Sequence, residues 1–192
     1  MESSLVTPCY QPRMWNVVDE YQHMDPDEIK VEYSKIASPV AVACLNLSGD
    51  MNIGTMMRTS SLFGVGKFLI LGRKFYDRRS SVGTQHHIPH DRIYTMKGKG
   101  KDELDEDLAL KILREHQKQY TIVFVEQHAT SVPLTQLHAL KFDNPPMFVL
   151  GSESNGIPQA ILQLENTYSV VIPQQGLGRS HNVAIACGIV LY

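Results

Sequence analysis

Five short apolar runs constrain this 192-residue chain more than any other feature: VAVACLNL (40–47), KFLILG (67–72), YTIVFVEQ (120–127), PPMFVLGSE (145–153) and TYSVVIP (167–173). Each has strand length, and none alternates apolar with polar residues. A strand with one wet face would alternate, so these strands belong in a sheet covered on both faces, which is the habit of parallel sheets. The segments between them read as helices. GDMNIGTMMRTSSLFG (49–64) opens with capping residues, closes at Gly64 and gathers Ile53, Met56 and Met57 on one stripe. DELDEDLALKILREHQKQ (102–119) sets Leu104, Leu108 and Ile112 four apart, with acids first and bases last, as the helix dipole favours. PQAILQLE (158–165) starts a helix on Pro158, and the chain ends on VAIACGIVLY, apolar nearly all round. Strands alternating with helices predict an α/β fold, a parallel sheet with helices on both faces.

Residues 1–38 have a different character. TPCYQPRMW carries two prolines and little periodicity, and DPDEIKVEYSKIASP is mixed-charge with Asp25 or Asp27 placed to cap a short helix. The expected organisation is an N-terminal extension over 1–38 and one domain over 39–192.

Composition excludes several classes. Net charge is −2, so no global basic field advertises nucleic acid, although local patches can suffice. Cys9, Cys44 and Cys187 form no CxxC pair, and an odd count suits a reducing compartment. The start lacks a basic region followed by an apolar run, and the longest apolar run falls well short of the ~20 residues that span a bilayer. The expectation is a soluble intracellular protein with no membrane partner.

Ligands of open parallel sheets gather at the carboxyl ends of strands. That gives priority to SGDMNIG, GRKFYDRRSSVG, EQHAT, GSESNGIP and PQQGLGRSHN. In VLGSESNGIP, Gly151 permits close backbone approach and Glu153 lies near a helix start; a plain turn with a capping acid is the bland alternative. In NIGTMMR, Arg58 points away from the apolar stripe. It sits against the helix dipole, so local stability does not explain it, whereas its planar fork suits phosphate or carboxylate; a solvated surface arginine is the alternative. In GLGRSHN, adjacent Ser180 and His181 do not present their side chains to each other, and no GxSxG elbow exists, so hydrolysis is a poor reading. A helix start is better, with Ser180 as the cap and Asn182 in the first turn. His86, His87 and His90 invite a metal reading, but Pro89 interrupts the helix an HxxxH pair needs, and no metal site is expected. Basic residues cluster at Arg73, Lys74, Arg78, Arg79 and at Lys97, Lys99, Lys101, with Phe75, Tyr76 and Tyr94 nearby, a mixture suited to nucleic acid as well as to solubility.

Three of these stretches fall in a known order. NIGTMMRTSSLFGV, MFVLGSESNGIP and VVIPQQGLGRSHNVAIACGIVLY resemble the three motifs of the SpoU (TrmH-type) RNA ribose 2′-O-methyltransferases of the SPOUT class. The resemblance covers residues 39–192. It implies a parallel sheet whose C-terminal segment threads a loop to make a deep trefoil knot, a feature periodicity cannot show. It implies S-adenosylmethionine as cofactor, contacted by Gly151, Ile172 and Ser180, with Glu126 or Gln127 and Leu177 as further contacts. It implies a homodimer acting on RNA, tRNA favoured over rRNA because small members with little else often act on tRNA.

The implied chemistry is methylation of a ribose 2′-hydroxyl. Arg58 is the central catalytic residue by motif position. Arginine stays protonated, so it is read as orienting the hydroxyl and a neighbouring phosphate, with that phosphate taking the proton. Asn52, Glu153, Ser180 and Asn182 complete the catalytic set, the amides and carboxylate fixing the site by hydrogen bonds. One departure is visible: the family's SLN reads SHN, with His181 in the middle. The terminal helix also stops at Tyr192, earlier than the resemblance leads one to expect. Competing readings are a non-catalytic RNA-binding relative of the same fold, a nucleotide hydrolase, disfavoured by the absence of GKS/T, GxSxG and HExxH, and a histidine metal scaffold.

Overall fold

The computed structural model describes residues 16–45, 49–73, 75–98 and 103–192, with Asp50 described by its backbone alone. Cys9, Lys74, Lys99 and Lys101 lie outside these residues, as does the end of the 40–47 run.

Among the described residues, seven parallel strands form one sheet: β1 (Ser38–Leu45), β2 (Val65–Gly72), β3 (His90–Tyr94), β4 (Thr121–Val125), β5 (Val132–Pro133), β6 (Pro146–Leu150) and β7 (Tyr168–Val171). Their spatial order is β3-β2-β1-β6-β4-β7-β5. The five apolar runs are the five inner strands. The period-2 pleat sends Val42, Cys44, Phe68, Ile70, Val123, Phe148 and Leu150 to one face, and Ala41, Ala43, Leu69, Leu71, Ile122, Phe124, Met147 and Val149 to the other. Both sets are buried, which is why the runs do not alternate apolar with polar residues.

Among the described residues, five α-helices flank the sheet: α1 (Pro26–Ile36), α2 (Asp50–Leu62), α3 (Glu106–His116), α4 (Gln159–Leu162) and α5 (Val183–Leu191). On the first face, Ile53, Met56 and Met57 of α2 join Val183, Ala184, Cys187 and Val190 of α5 in one core. The small side chains of α5 let the helices meet closely; a Cβ on Gly188 would touch the Thr59 methyl at 3.5 Å. Helix α1 adds Tyr33 to this core, and its hydroxyl donates to the Val65 carbonyl at 2.8 Å. Asp25 caps α1 in a capping box: its carboxylate accepts from the Asp27 and Glu28 amides, while the Glu28 carboxylate accepts from the Asp25 amide.

On the second face, α3 starts at Glu106, capped by Asp105, rather than at 102. Leu104 therefore precedes the helix and bridges to Met96. The buried face becomes Ala109 and Leu113, and Leu108 is exposed, so the Leu104–Leu108–Ile112 stripe is displaced. Helix α4 is one turn, shorter than the 158–165 expected. Strands β3 and β5 are the two edges. Their sequences, HDRIY and VP, carry charge and proline, which suits edge positions and hides them from an apolar-run search.

Candidate active site

Strand order places the site. After β7 the chain must reach α5, which packs against α2 on the far side of β4 and β6. Residues 172–182 make that passage across the carboxyl ends of the strands. A cleft of about 1010 Å³ lies there, lined by the ends of β4, β6 and β7 and by the start of α5. Glu126, Gln127, Gly151, Glu153, Ile172, Ser180 and Asn182 all line it.

The cleft is shaped by tight backbone contacts. A Cβ on Gly151 would lie 2.2 Å from the Gly156 carbonyl carbon and 2.5 Å from the Ile157 nitrogen, so only glycine fits after β6. Gly156 takes φ +63, and a Cβ there would lie 2.4 Å from Glu126 Oε2. Glu126 braces this loop from β4: Oε2 accepts from the Ile157 amide at 2.9 Å, and Oε1 accepts from the Gln127 amide at 2.9 Å.

Three distant segments meet at the mouth. Asn182, not Ser180, is the residue that caps α5: its Oδ1 accepts from the Ala184 amide at 2.9 Å and the Ile185 amide at 3.4 Å. The helix starts at Val183, so Ser180 stands too far upstream to cap it, and Asn182 lies outside the first turn. The Asn182 amide donates to Asn52 Oδ1 at 3.1 Å, and the Asn52 amide donates to Glu153 Oε1 at 2.6 Å. Direction is set at both ends, because backbone N–H groups can only donate and a carboxylate only accepts. Gly49 makes room: a Cβ there would lie 2.7 Å from both Asn52 Nδ2 and Glu153 Oε1.

Two expected site residues stand elsewhere. Arg58 does not line the cleft; it is exposed on α2, in a stripe with Met51, Thr55 and Leu62. Among the described residues it has no hydrogen-bond or ion-pair partner. Leu177 is fully exposed on the passage to α5. Gly176 and Gly178 have no atom within 4 Å of where a Cβ would stand, so no crowding requires glycine at either position.

The cleft also takes His128, Gln159 and Arg179, which the motifs did not single out, and His181, the residue at which the third motif departs from the family. His128 lies in EQHAT, so the strand-end rule marked its neighbourhood; nothing local marked Gln159. The clustered histidines His87 and His90 do different jobs. His87 is buried, 2.9 Å from Ser61 Oγ by Nε2 and tilted against the Tyr33 ring. Burial, with the neighbouring His86 charge, pushes its imidazole down to about 4. His90 faces its own turn, Nδ1 lying 3.1 Å from the Ile88 carbonyl. Among the described residues no group of three His, Cys, Asp or Glu is placed to hold a metal ion, and no helix is long and apolar enough to cross a membrane. Cys44 and Cys187 are buried free thiols.

Comparison with known proteins gives a consistent result. The model of the SpoU rRNA Methylase family matches residues 39–192. The tRNA (guanosine(18)-2′-O)-methyltransferase TARBP1 of Mus musculus is 26% identical over 161 residues, covering 82% of this chain and 9% of TARBP1. An uncharacterised tRNA/rRNA methyltransferase of Synechocystis is 28% identical over 147 residues, 73% of this chain and 47% of that protein. Among solved structures, an AdoMet-bound rRNA methyltransferase from Sinorhizobium meliloti superposes with a TM-score of 0.62 at 26% identity, covering 79% of this chain and 54% of that one. The chain thus spans about half the length of these Synechocystis and Sinorhizobium proteins and a small part of TARBP1.

Proposed function

The chain belongs to the SpoU rRNA methylase family, and on that premise we propose that it transfers a methyl group from S-adenosylmethionine to a ribose 2′-hydroxyl of RNA, with tRNA as the substrate class. The observation that carries the reading is the Glu153–Asn52–Asn182 chain, which joins three sequence-distant motifs at the mouth of one cleft. An RNA substrate sets this work inside the cell.

The cleft suits the cofactor on its own chemistry. Val125, Leu150, Ile157 and Ile172 offer apolar walls for a purine ring, and Glu126, Gln127 and Ser180 offer polar groups for hydroxyls. Gly151 lets the backbone approach closely, and Leu177 is assigned to the same loop as a contact. When bound, S-adenosylmethionine supplies an electrophilic methyl carbon on a sulfonium, which transfer leaves as a neutral thioether. We assign the knot of the family to the 172–182 passage, which crosses the ends of β4 and β6 to reach α5.

The residues act by position. Asn52, Glu153 and Asn182 form a preset hydrogen-bonded edge that holds the reacting ribose, and Ser180 lies beside it on the same loop. Arg58 orients the 2′-hydroxyl and a neighbouring phosphate, and that phosphate accepts the hydroxyl proton as the oxygen–methyl bond forms. Helices α2 and α5 together leave Met51, Leu62, Ile185 and Ile189 exposed on one side. Such a face on paired helices fits a homodimer. Arg58 stands in it and outside the cleft of its own protomer, so the reading assigns it to the junction of two copies.

The test is transfer of labelled methyl to RNA by the purified chain and by Arg58→Ala, with cofactor binding measured separately. The reading requires transfer by the first, loss in the second, and cofactor binding by both.

A further inference from the structure

The turn after β2 is not part of the cleft, yet it lies on the same rim of the sheet and is fastened to the site helix. Gly54 of α2, two residues beyond Asn52, has its Cα against this turn: a Cβ would lie 2.0 Å from Ser80 Oγ and 2.8 Å from the Ser81 nitrogen. The turn is stitched internally, Ser80 Oγ donating to the Asp77 carbonyl at 2.8 Å and Thr84 Oγ1 to the Ser81 carbonyl at 2.7 Å. Val82 is held at φ +49, a backbone that a β-branched residue rarely takes, which marks a conformation imposed by its surroundings. This is a fixed surface joined to the catalytic helix.

Its composition is unlike the rest of the chain. Between residues 73 and 94, five lysines and arginines face two acids, in a protein whose net charge is −2. Phe75 is 84% exposed, an aromatic ring left in water next to that charge. Folding gains nothing from such exposure. Arg78 and Arg79 are exposed beside it, and Asp77 holds the Arg79 guanidinium with its carboxylate, leaving the outer edge of the fork toward solvent. Arg92 of the edge strand lies 5.9 Å over the Tyr76 ring, and Tyr94, the last residue of that strand, is 41% exposed.

We propose that this surface, Phe75 with Arg78, Arg79, Arg92 and Tyr94, carries the single-stranded RNA that flanks the reacting ribose, with a base stacked on Phe75 and phosphates on the arginines. The assignment rests on the RNA reading above. Proteins take sequence from unpaired RNA by splaying bases onto aromatic rings, and phosphates supply the charge-dependent part of affinity. The C-terminal ends of β2 and β3 lie two to three strand spacings from that of β6, roughly 10–15 Å, so one strand of RNA reaches both the platform and Glu153.

The experiment uses the full chain, a short fluorescein-labelled single-stranded RNA and a tRNA transcript. Anisotropy gives affinity at several salt concentrations, calorimetry gives S-adenosylmethionine binding, and light scattering gives oligomeric state. Phe75→Ala weakens RNA binding about tenfold and raises KM for tRNA with kcat largely kept, while Phe75→Trp restores both. Arg78→Ala with Arg79→Ala lowers the dependence of affinity on salt by about one to two phosphate contacts. Cofactor affinity and melting temperature stay at the parent values. The proposal is overturned if both sets of variants bind RNA as the parent does. It is equally overturned if Phe75→Ala leaves RNA affinity intact and changes the oligomeric state, which would make the ring a protein contact. Because affinity is read without turnover, a chain that binds RNA here but transfers no methyl refutes the activity and not the platform.

Discussion

The Asn182 side-chain amide donates to Asn52 Oδ1 at 3.1 Å, across 130 residues of sequence. The oxygen of that same side chain, Asn182 Oδ1, caps α5, so one side chain both starts a helix and holds Asn52. Asn52 has one donor and one acceptor end, and both are used: it accepts from Asn182 and donates to Glu153.

This double duty separates by substitution. Asn182→Ala removes the cap, at about 1 kcal/mol, and melts the protein roughly 2–4 °C lower. Asn182→Asp keeps the cap acceptor and so keeps stability. Its carboxylate cannot donate to Asn52, and rotating the Asn52 amide to serve it would turn Asn52 Oδ1 against the Glu153 carboxylate. We expect Asn182→Asp to melt like the parent and lose methyl transfer, checked by calorimetry beside a transfer assay.

The glycines divide into those that crowding demands and those it does not. Gly151→Ala drives a Cβ into the Gly156 backbone and costs about 1–3 kcal/mol with loss of cofactor binding. Gly178→Ala meets no atom within 4 Å and leaves the melting temperature unchanged. Thermal melts with and without S-adenosylmethionine decide both.

His87 gives stability a pH dependence of known sign. Burial holds its folded-state value down at about 4, below the ordinary 6.5, so the folded protein keeps the ring neutral where the unfolded chain takes a proton. Its contribution is complete above pH about 6.5 and is lost progressively as pH falls toward 4. His87→Gln can still hydrogen-bond Ser61 and does not titrate. Its melting temperature should fall less than the parent's over that interval.

The homodimer proposal assigns Arg58 to the junction between protomers. Ile185→Glu puts charge on the exposed face of α5, and light scattering should then show half the mass, with transfer lost. Mixing inactive Arg58→Ala with inactive Asn182→Asp should restore about a quarter of parental activity if Arg58 serves the other protomer, since half the dimers are mixed and each holds one intact site. Arg58 acting within its own protomer gives none.

The chain displays its strands openly because each inner strand is apolar on both faces, and 40–47, 67–72, 120–127, 145–153 and 167–173 all hold strands of the sheet. The motifs also mark Asn52, Glu153 and Asn182. Other features depend on contacts far away. Nothing local says that β6 inserts between β1 and β4, since pairing is non-local. The edge strands have no apolar run to find, β3 being charged and β5 only two residues long. A two-residue choice of cap, Asn182 over Ser180, follows from where α5 begins, and a shift in the start of α3 rotated its buried face from Leu108 to Ala109 and Leu113. That Arg58 points away from the apolar stripe is legible in NIGTMMR; that this leaves it outside the cleft depends on where the strand ends and the start of α5 gather, which no local pattern shows.

The central claim is transfer of a methyl group to a ribose 2′-hydroxyl by this constellation. Its most direct measurement is mass spectrometry of nucleosides from tRNA incubated with the chain and methyl-labelled S-adenosylmethionine. The account predicts a single labelled 2′-O-methylnucleoside, absent with Arg58→Ala although that variant still binds the cofactor and melts normally. Label on a base, or undiminished ribose methylation by Arg58→Ala, would contradict it.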